Sequence, residues 1–270
     1  METPAAMGSV LTAEEARAYR EDGFFAREAV FSASEVEALR AAAERVAEAA
    51  ARASETGDGY AIDGNRYVEA SNSTVQFEHA ADSETIRVIE PFHHFDPLFD
   101  ALLDDERIVE PMRGVIGSDT VALWTDKLNL KRPREGSGFR WHQDSPYWTH
   151  ACSHVDRLPN VMLTLDAAHE GNGCFRVVRG SHAVGCLPGI EDESTLGPLF
   201  TDPAHVDEAA QVLLEVPAGS LIFFSPHTVH GSQPNESAEP RRALVLTYQP
   251  GDEPMFKREG TRNCGTSNAG

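Results

Sequence analysis

Val121-Ala122-Leu123-Trp124-Thr125-Asp126-Lys127-Leu128-Asn129-Leu130-Lys131 is where the periodicity of this chain changes. Upstream of it, apolar residues recur every three or four positions. Within it they alternate, the spacing of a strand whose successive side chains point to opposite faces. Read as one strand, Val121, Leu123, Thr125, Lys127, Asn129 and Lys131 share a face, and Ala122, Trp124, Leu128 and Leu130 share the other. Strand-like runs follow at 139–143, 160–166, 174–179, 213–216, 220–225, 228–231 and 242–249. Turn signals separate them at Glu170-Gly171-Asn172-Gly173, Pro217-Ala218-Gly219 and Pro234-Asn235. Many short strands with long connections predict an antiparallel sandwich or barrel and argue against a βαβ fold. The expected class is mainly β with flanking helices, its core at about residues 119–250.

The region 12–117 reads as helical. Thr12-Ala13-Glu14-Glu15 and Ser32-Ala33-Ser34-Glu35 both fit the capping box. After the second, Val36, Leu39, Ala43, Val46 and Ala50 form one apolar stripe, ending near Ala53. Residues 54–74 are polar and glycine-bearing and read as a loop. Residues 96–117 give two shorter helices, with Leu98, Phe99, Leu102 and Leu103 turned inward. Residues 183–212 make a long acidic connection, either a lid or an insertion. The tail 251–270 reads as loose, and the whole of 1–270 as one domain.

Composition narrows the function. The chain has 270 residues, with 43 Asp and Glu against 23 Lys and Arg, a net charge of −20. That excess opposes nonspecific attraction to nucleic acid or anionic lipid. No apolar run approaches the roughly 20 residues that span a bilayer, and no signal peptide opens the chain, so cytoplasmic residence is expected. Cys152, Cys174, Cys186 and Cys264 are widely spaced and read as free thiols. Only three of the 23 basic residues are lysines, and two of them, Lys127 and Lys131, lie just before the most informative stretch.

That stretch is Phe139-Arg140-Trp141-His142-Gln143-Asp144. On extended backbone His142 and Asp144 point the same way and can bind one ion. A third ligand at His230 would complete two histidines and a carboxylate on one face of an octahedron, leaving positions for a chelating co-substrate and O2. His154-Val155-Asp156 is a second H-x-D, and a helical 150–154 would pair His150 with His154 on zinc, the reading of a hydrolase. Its surroundings lack strand alternation, and nothing downstream pairs with it. By contrast, the first H-x-D is followed by an apolar strand run, His227-Thr228-Val229-His230-Gly231-Ser232, and then Arg241, whose guanidinium could clamp a carboxylate bidentately. There is no dinucleotide fingerprint, Walker loop, H-E-x-x-H or G-x-S-x-G.

Taken together, Trp141-His142-Gln143-Asp144, Gly171-Asn172-Gly173-Cys174, Gly180-Ser181-His182, His230-Gly231-Ser232 with Asn235 and Ser237, and Arg241 resemble the phytanoyl-CoA dioxygenase family of Fe(II)/2-oxoglutarate-dependent oxygenases, over roughly 12–249. The resemblance implies a double-stranded β-helix (jelly-roll, cupin-like) core. It implies His142, Asp144 and His230 as ligands of Fe(II), with His230 preferred over His227 because the ligand directly precedes Gly-Ser. Arg241 matches the arginine that binds the distal carboxylate of 2-oxoglutarate, with Ser232 assisting. Asn129 matches a co-substrate contact, and Lys127 shares its face and reaches either co-substrate or substrate. A solvated edge lysine is the plainer reading of Lys127. The implied reaction uses O2 and 2-oxoglutarate, releases succinate and CO2, and hydroxylates an unactivated C–H of a small molecule. Asp144, where related halogenases carry a small residue, favours hydroxylation.

For the substrate, Phe139, Trp141, Tyr147 and Trp148 cluster around the H-x-D segment as candidate cleft walls, or as ordinary core. Arg176 and Arg179 depart from the family pattern; pointing inward they would suit an anion, pointing outward they would form surface salt bridges. Acyl-CoA lacks a basic track for its phosphates. A jelly-roll protein that binds metal or ligand without turnover is the remaining alternative.

Overall fold

Both capping boxes open helices. Thr12 and Ser32 accept from the backbone N–H of Glu15 and Glu35, whose carboxylates accept in return from the cap amides. The computed structural model describes residues 10–80 and 82–265. In chain order its elements are α1 (Ala13–Asp22), β1 (Phe24–Arg27), α2 (Ala33–Ser54), β2 (Asp58–Ile62), β3 (Asn65–Ala70), β4 (Ser73–Phe77), β5 (Ile86–Glu90), α3 (Pro97–Leu102) and α4 (Glu106–Ile116). There follow β6 (Val121–Lys131), β7 (Phe139–His142), α5 (Ser145–Trp148), β8 (Asn160–Thr164), β9 (Phe175–Val178), β10 (Gln211–Leu214), β11 (Leu221–Phe224), β12 (His230–Ser232), β13 (Arg241–Pro250) and β14 (Asn263–Cys264).

The strands form two antiparallel sheets. The larger runs β1-β11-β8-β13-β6-β5-β4-β3-β2, with β14 also on β6; the smaller runs β10-β9-β12-β7. Met162, Ile222, Phe224, Ala243 and Val245 of the large sheet meet Phe175, Val177 and Leu214 of the small one. The other face of the large sheet packs Leu128, Leu130, Leu163, Phe223 and Leu244 against the buried stripe of α2 and against α4. This is a mainly β, jelly-roll core with helices outside, as expected.

Four local readings change. Residues 54–74 are not a loop: they hold β2, β3 and the start of β4, which with β5 make a meander inside the region read as helical. Solvent wets both faces of β2, so no apolar alternation marks it. The turns do leave a signal, because Asp63-Gly64 and Ser71-Asn72 have positive φ at both central positions, the geometry of tight hairpins. Secondly, β6 carries a bulge: Thr125 pairs with Thr247 and Leu123 with Tyr248, skipping Trp124. Parity therefore inverts there. Val121 and Leu123 join Leu128 and Leu130 in the helix-side core, while Trp124 turns to Trp148 and Leu158. Thirdly, Phe99, Leu102 and Leu103 are buried but Leu98 is exposed. Lastly, 251–265 is not loose, since β14 pairs with β6 and buries Cys264; residues 266–270 lie outside the described residues.

The acidic connection is strapped across the edge strand β7. Thr201 N donates to Trp141 O at 2.9 Å, Leu187 N to Gln143 Oε1 at 2.7 Å, and Thr195 N and Leu196 N to the Asp63 carboxylate at 2.9 and 2.7 Å. All four cysteines are free thiols, and no described helix is long and apolar enough to cross a membrane.

Candidate active site

The neighbouring strands β7 and β12 put His142 opposite His230, their ring centroids 4.1 Å apart. Each imidazole is oriented by its own strand: Nδ1 of His142 donates to Arg140 O and Nδ1 of His230 to Thr228 O, both at 2.8 Å. A carbonyl can only accept, so each Nδ1 carries its proton and each Nε2 keeps a lone pair for a metal. Just beyond β7, Asp144 is held at its backbone by Pro226 O, and its Oδ2 lies 3.8 Å from His230 Nε2. One donor atom from each of His142, Asp144 and His230 falls within 4.8 Å of the others, the one such group among the described residues. Two neutral nitrogens and a carboxylate on one side of an open space suit a divalent ion with free positions.

Protonation agrees with that role. Burial, and the facing His230, push His142 down to about 3, and burial lowers His230 too. Burial would raise Asp144, but Lys127 and the two imidazoles outweigh it and hold the carboxyl below its usual range. Behind it, Asn160 Nδ2 donates to Asp144 Oδ2 at 2.9 Å, and the Thr247 hydroxyl donates to Asn160 Oδ1 at 2.6 Å. This buried relay fixes which way the carboxylate faces.

Further along the same interior lies a cationic seat. Arg241 is 2% exposed, and its Nε has no hydrogen-bond partner; the Ser232 hydroxyl is likewise buried and unpartnered. Burial pushes Arg241 down to about 10, which leaves it charged at neutral pH. A buried guanidinium without a carboxylate is costly, and a bidentate anion would satisfy it. Asn129 shares that inward face, paired with Ala243 on one side and Val88 on the other.

Lys127 is no edge lysine, since β6 runs between β13 and β5. Its Nζ lies 3.7 Å from Asp144 Oδ1 and 5.9 and 5.7 Å from the rings of Tyr147 and Trp148. Burial alone would lower its pKa, but Glu90 and Asp144 together raise it. Glu90, which accepts from the Thr125 hydroxyl at 2.9 Å, extends the same wall. Of the four aromatics, Tyr147 stands edge-on to His142 at 6.3 Å and lines the site. Phe139 faces inward under Arg87, 4.0 Å from its guanidinium carbon. Trp148 is core, packed with Trp124 and Leu158. Trp141 directly precedes His142 and therefore points the other way, outward against Gly231 and under Arg176, whereas the bulge opposite His230 and Ser232 brings Phe139 to the face of His142. Arg179 forms the surface salt bridge, with Asp22, whereas Arg176 forms no ion pair among the described residues and instead donates to Gln211 and lies over Trp141.

Other histidines lie apart from this cluster. His227 binds Ser145 Oγ at 2.8 Å and Asp156 Oδ1 at 2.7 Å, away from the triad. His154 contacts Gln249 Oε1 at 3.2 Å and forms no metal group with His150. His93, to which the sequence assigns no partner, is buried against Asp126 at 2.7 Å. Sequence reasoning missed Asn160, Thr247 and Glu90. It also missed Gln143, whose amide donates to Gly185 O at 2.8 Å and His227 O at 2.5 Å while accepting from Leu187, so it fastens the strap between His142 and Asp144.

The family model of phytanoyl-CoA dioxygenase (PhyH) matches residues 19–243. Among curated proteins, the probable alpha-ketoglutarate-dependent hypophosphite dioxygenase of Stutzerimonas stutzeri is 29% identical over 246 residues, covering 89% of this chain and 79% of that protein. The ectoine dioxygenase of Bordetella bronchiseptica is 29% identical over 256 residues, covering 88% and 75%. The solved structure of EctD from S. alaskensis with bound Fe superposes with a TM-score of 0.66 at 26% identity, over 95% of this chain and 82% of that one. The chain belongs to the phytanoyl-CoA dioxygenase family and is a hydroxylating dioxygenase dependent on iron and 2-oxoglutarate.

Proposed function

We propose that His142, Asp144 and His230 hold iron(II), that Arg241 and Ser232 seat the distal carboxylate of 2-oxoglutarate with Asn129 beside it, and that the chain hydroxylates a small, charged organic molecule against the wall of Lys127, Glu90 and Tyr147. The observation that carries this reading is the pair of buried, unpartnered polar groups, Arg241 Nε on β13 and Ser232 Oγ on β12, the strand that also carries His230 of the two-histidine, one-carboxylate cluster. When bound, the metal and 2-oxoglutarate supply the oxidising power, giving succinate and CO2.

The protein's own share is orientation and charge. Carbonyls fix the two imidazoles, and Asn160 with Thr247 aims the carboxylate. Lys127 and Glu90, opposite charges on adjacent strands, select a substrate that carries charge over a plain hydrocarbon. Relatives named for ectoine, proline and hypophosphite are consistent with small polar substrates.

The test is anaerobic addition of Fe(II) and then 2-oxoglutarate to the purified protein, read as the weak visible charge-transfer band of a chelate. The wild type should show it, Asp144→Ala should lose it with the metal, and Arg241→Ala should need at least about tenfold more 2-oxoglutarate. Absence of the band from folded, Fe(II)-loaded wild type would overturn the assignment.

A further inference from the structure

A second group of reactive side chains lies outside the metal cluster, where the strap passes the start of α5. His227 there has both ring nitrogens engaged. Its Nε2 lies 2.7 Å from Asp156 Oδ1, and a carboxylate only accepts, so that nitrogen carries the proton. Nδ1 therefore keeps a lone pair, and the Ser145 hydroxyl donates to it at 2.8 Å. Cys186 of the strap completes the group. Its thiol donates to Ser145 Oγ at 3.2 Å, and its Sγ is 3.8 Å from His227 Nδ1. Thiol, hydroxyl, imidazole and carboxylate thus form one continuous chain of donors and acceptors, drawn from four separate segments.

The strap fixes the thiol in place. Gly185 O and Leu187 N, on either side of Cys186, are both bonded to the Gln143 amide, at 2.8 and 2.7 Å. Ser145 and His227 are buried, whereas Cys186 is exposed and the Asp156 carboxylate reaches into solvent. A buried base beneath an exposed thiol makes a nucleophile that small molecules can reach. The other cysteines differ. Burial pushes Cys264 up to about 12 and raises Cys174 and Cys152 as well, so all three keep their protons at neutral pH. The net charge of −20 opposes an anionic oxidant such as glutathione disulfide and leaves a small neutral one unhindered.

We propose that Cys186 is a peroxide-reactive thiol, with Ser145 and His227 as its proton relay and Asp156 as the group that positions His227. Sγ attacks one oxygen of hydrogen peroxide, so that an S–O bond forms and the O–O bond breaks. The thiol proton moves to Ser145 Oγ as the hydroxyl proton moves to His227 Nδ1, and the imidazolium then protonates the departing hydroxide. Sulfur loses two electrons and the peroxide gains them: thiol and hydrogen peroxide give sulfenic acid and water. The site uses none of the three residues of the metal cluster and is independent of the reading of Arg241 and Ser232.

The experiment treats full-length protein with hydrogen peroxide at about pH 7 and traps sulfenic acid with dimedone, each cysteine being followed by peptide mass spectrometry. Mn(II) is supplied in place of Fe(II), so that the peroxide meets no ferrous ion. Cys186 should react at least about tenfold faster than free glutathione in the same solution, and faster than Cys152 by a similar margin. His227→Asn should slow Cys186 at least about tenfold and leave Cys152 unchanged, and Asp156→Ala should slow Cys186 about threefold. A fold merely loosened by the substitution would speed both cysteines instead. Wild-type Cys186 reacting no faster than glutathione, or an undiminished rate in His227→Asn, would overturn the proposal. If His227→Asn does not fold, Asp156→Ala decides at a solvent-exposed side chain, and an unchanged rate there would overturn it equally.

Discussion

At the scale of single residues, Asn160 carries the sharpest consequence, because it is buried, donates to Asp144 and is itself held by Thr247. Asn160→Leu keeps a similar volume but removes the relay. It should lower Fe(II) affinity about 10- to 100-fold, measured by anaerobic metal titration, with the thermal transition still cooperative. An unchanged affinity would mean that Asp144 needs no support. The cluster of His142, Asp144 and His230 was legible, because two residues of strand spacing and a histidine before Gly-Ser are local patterns. Asn160 and Thr247 were not. They meet across 87 positions of sequence, and an asparagine or threonine in a strand looks alike whether it faces a ligand or solvent. Alternation alone turns Trp141 away from the site, since it directly precedes His142; what the sequence does not show is the extra residue in β7 opposite β12 that brings Phe139 to the face of His142.

At the scale of elements, the β2–β3 hairpin acts on the strap. Asp63 at its tip accepts both Thr195 N and Leu196 N, and no other described side chain takes those amides. Asp63→Ala should expose the segment, seen as faster limited proteolysis within 190–200 while the far-UV spectrum is unchanged. Equal cleavage rates would show that Gln143 and Trp141 hold the strap alone. On the opposite side of the molecule, Ser32→Ala should cost about 1 kcal/mol in denaturant unfolding by removing the α2 cap. The contrast explains what was readable. Capping boxes and the α2 stripe are periodic and short-range, whereas the meander escaped because β2 has no buried face to write a pattern. Its signal is confined to the turns at Asp63-Gly64 and Ser71-Asn72. The β6 bulge left no local sign either: alternation through Trp124 reads as unbroken, and the slip is set by pairing with β13.

At the scale of the whole molecule, arginine–carboxylate pairs join distant segments. Burial works against ionised Glu15, Glu44 and Asp104, but Arg27, Arg132 with Arg242, and Arg262 outweigh it and hold all three below their usual values. Glu35, paired chiefly with Arg107, is lowered to about 2. Depressed carboxyls add stability above their unfolded pKa of about 4.5 or lower, and that stability is lost as pH falls through the folded values. Tm should therefore hold steady near pH 6 and fall between about pH 4.5 and 2.5, a fall that Arg242→Met should lessen. These are partly exposed pairs, so the loss per pair is modest.

The interior sign is reversed: the charged Arg241 lies buried within a protein of net charge −20. A dianionic co-substrate is thus repelled at long range and attracted only once inside. Added salt screens the first force over about 10 Å and barely touches the second. Most enzymes with charged ligands slow down in salt; this one should capture 2-oxoglutarate faster as ionic strength rises from about 10 to 150 mM, a stopped-flow rate of opposite slope to ordinary electrostatic steering.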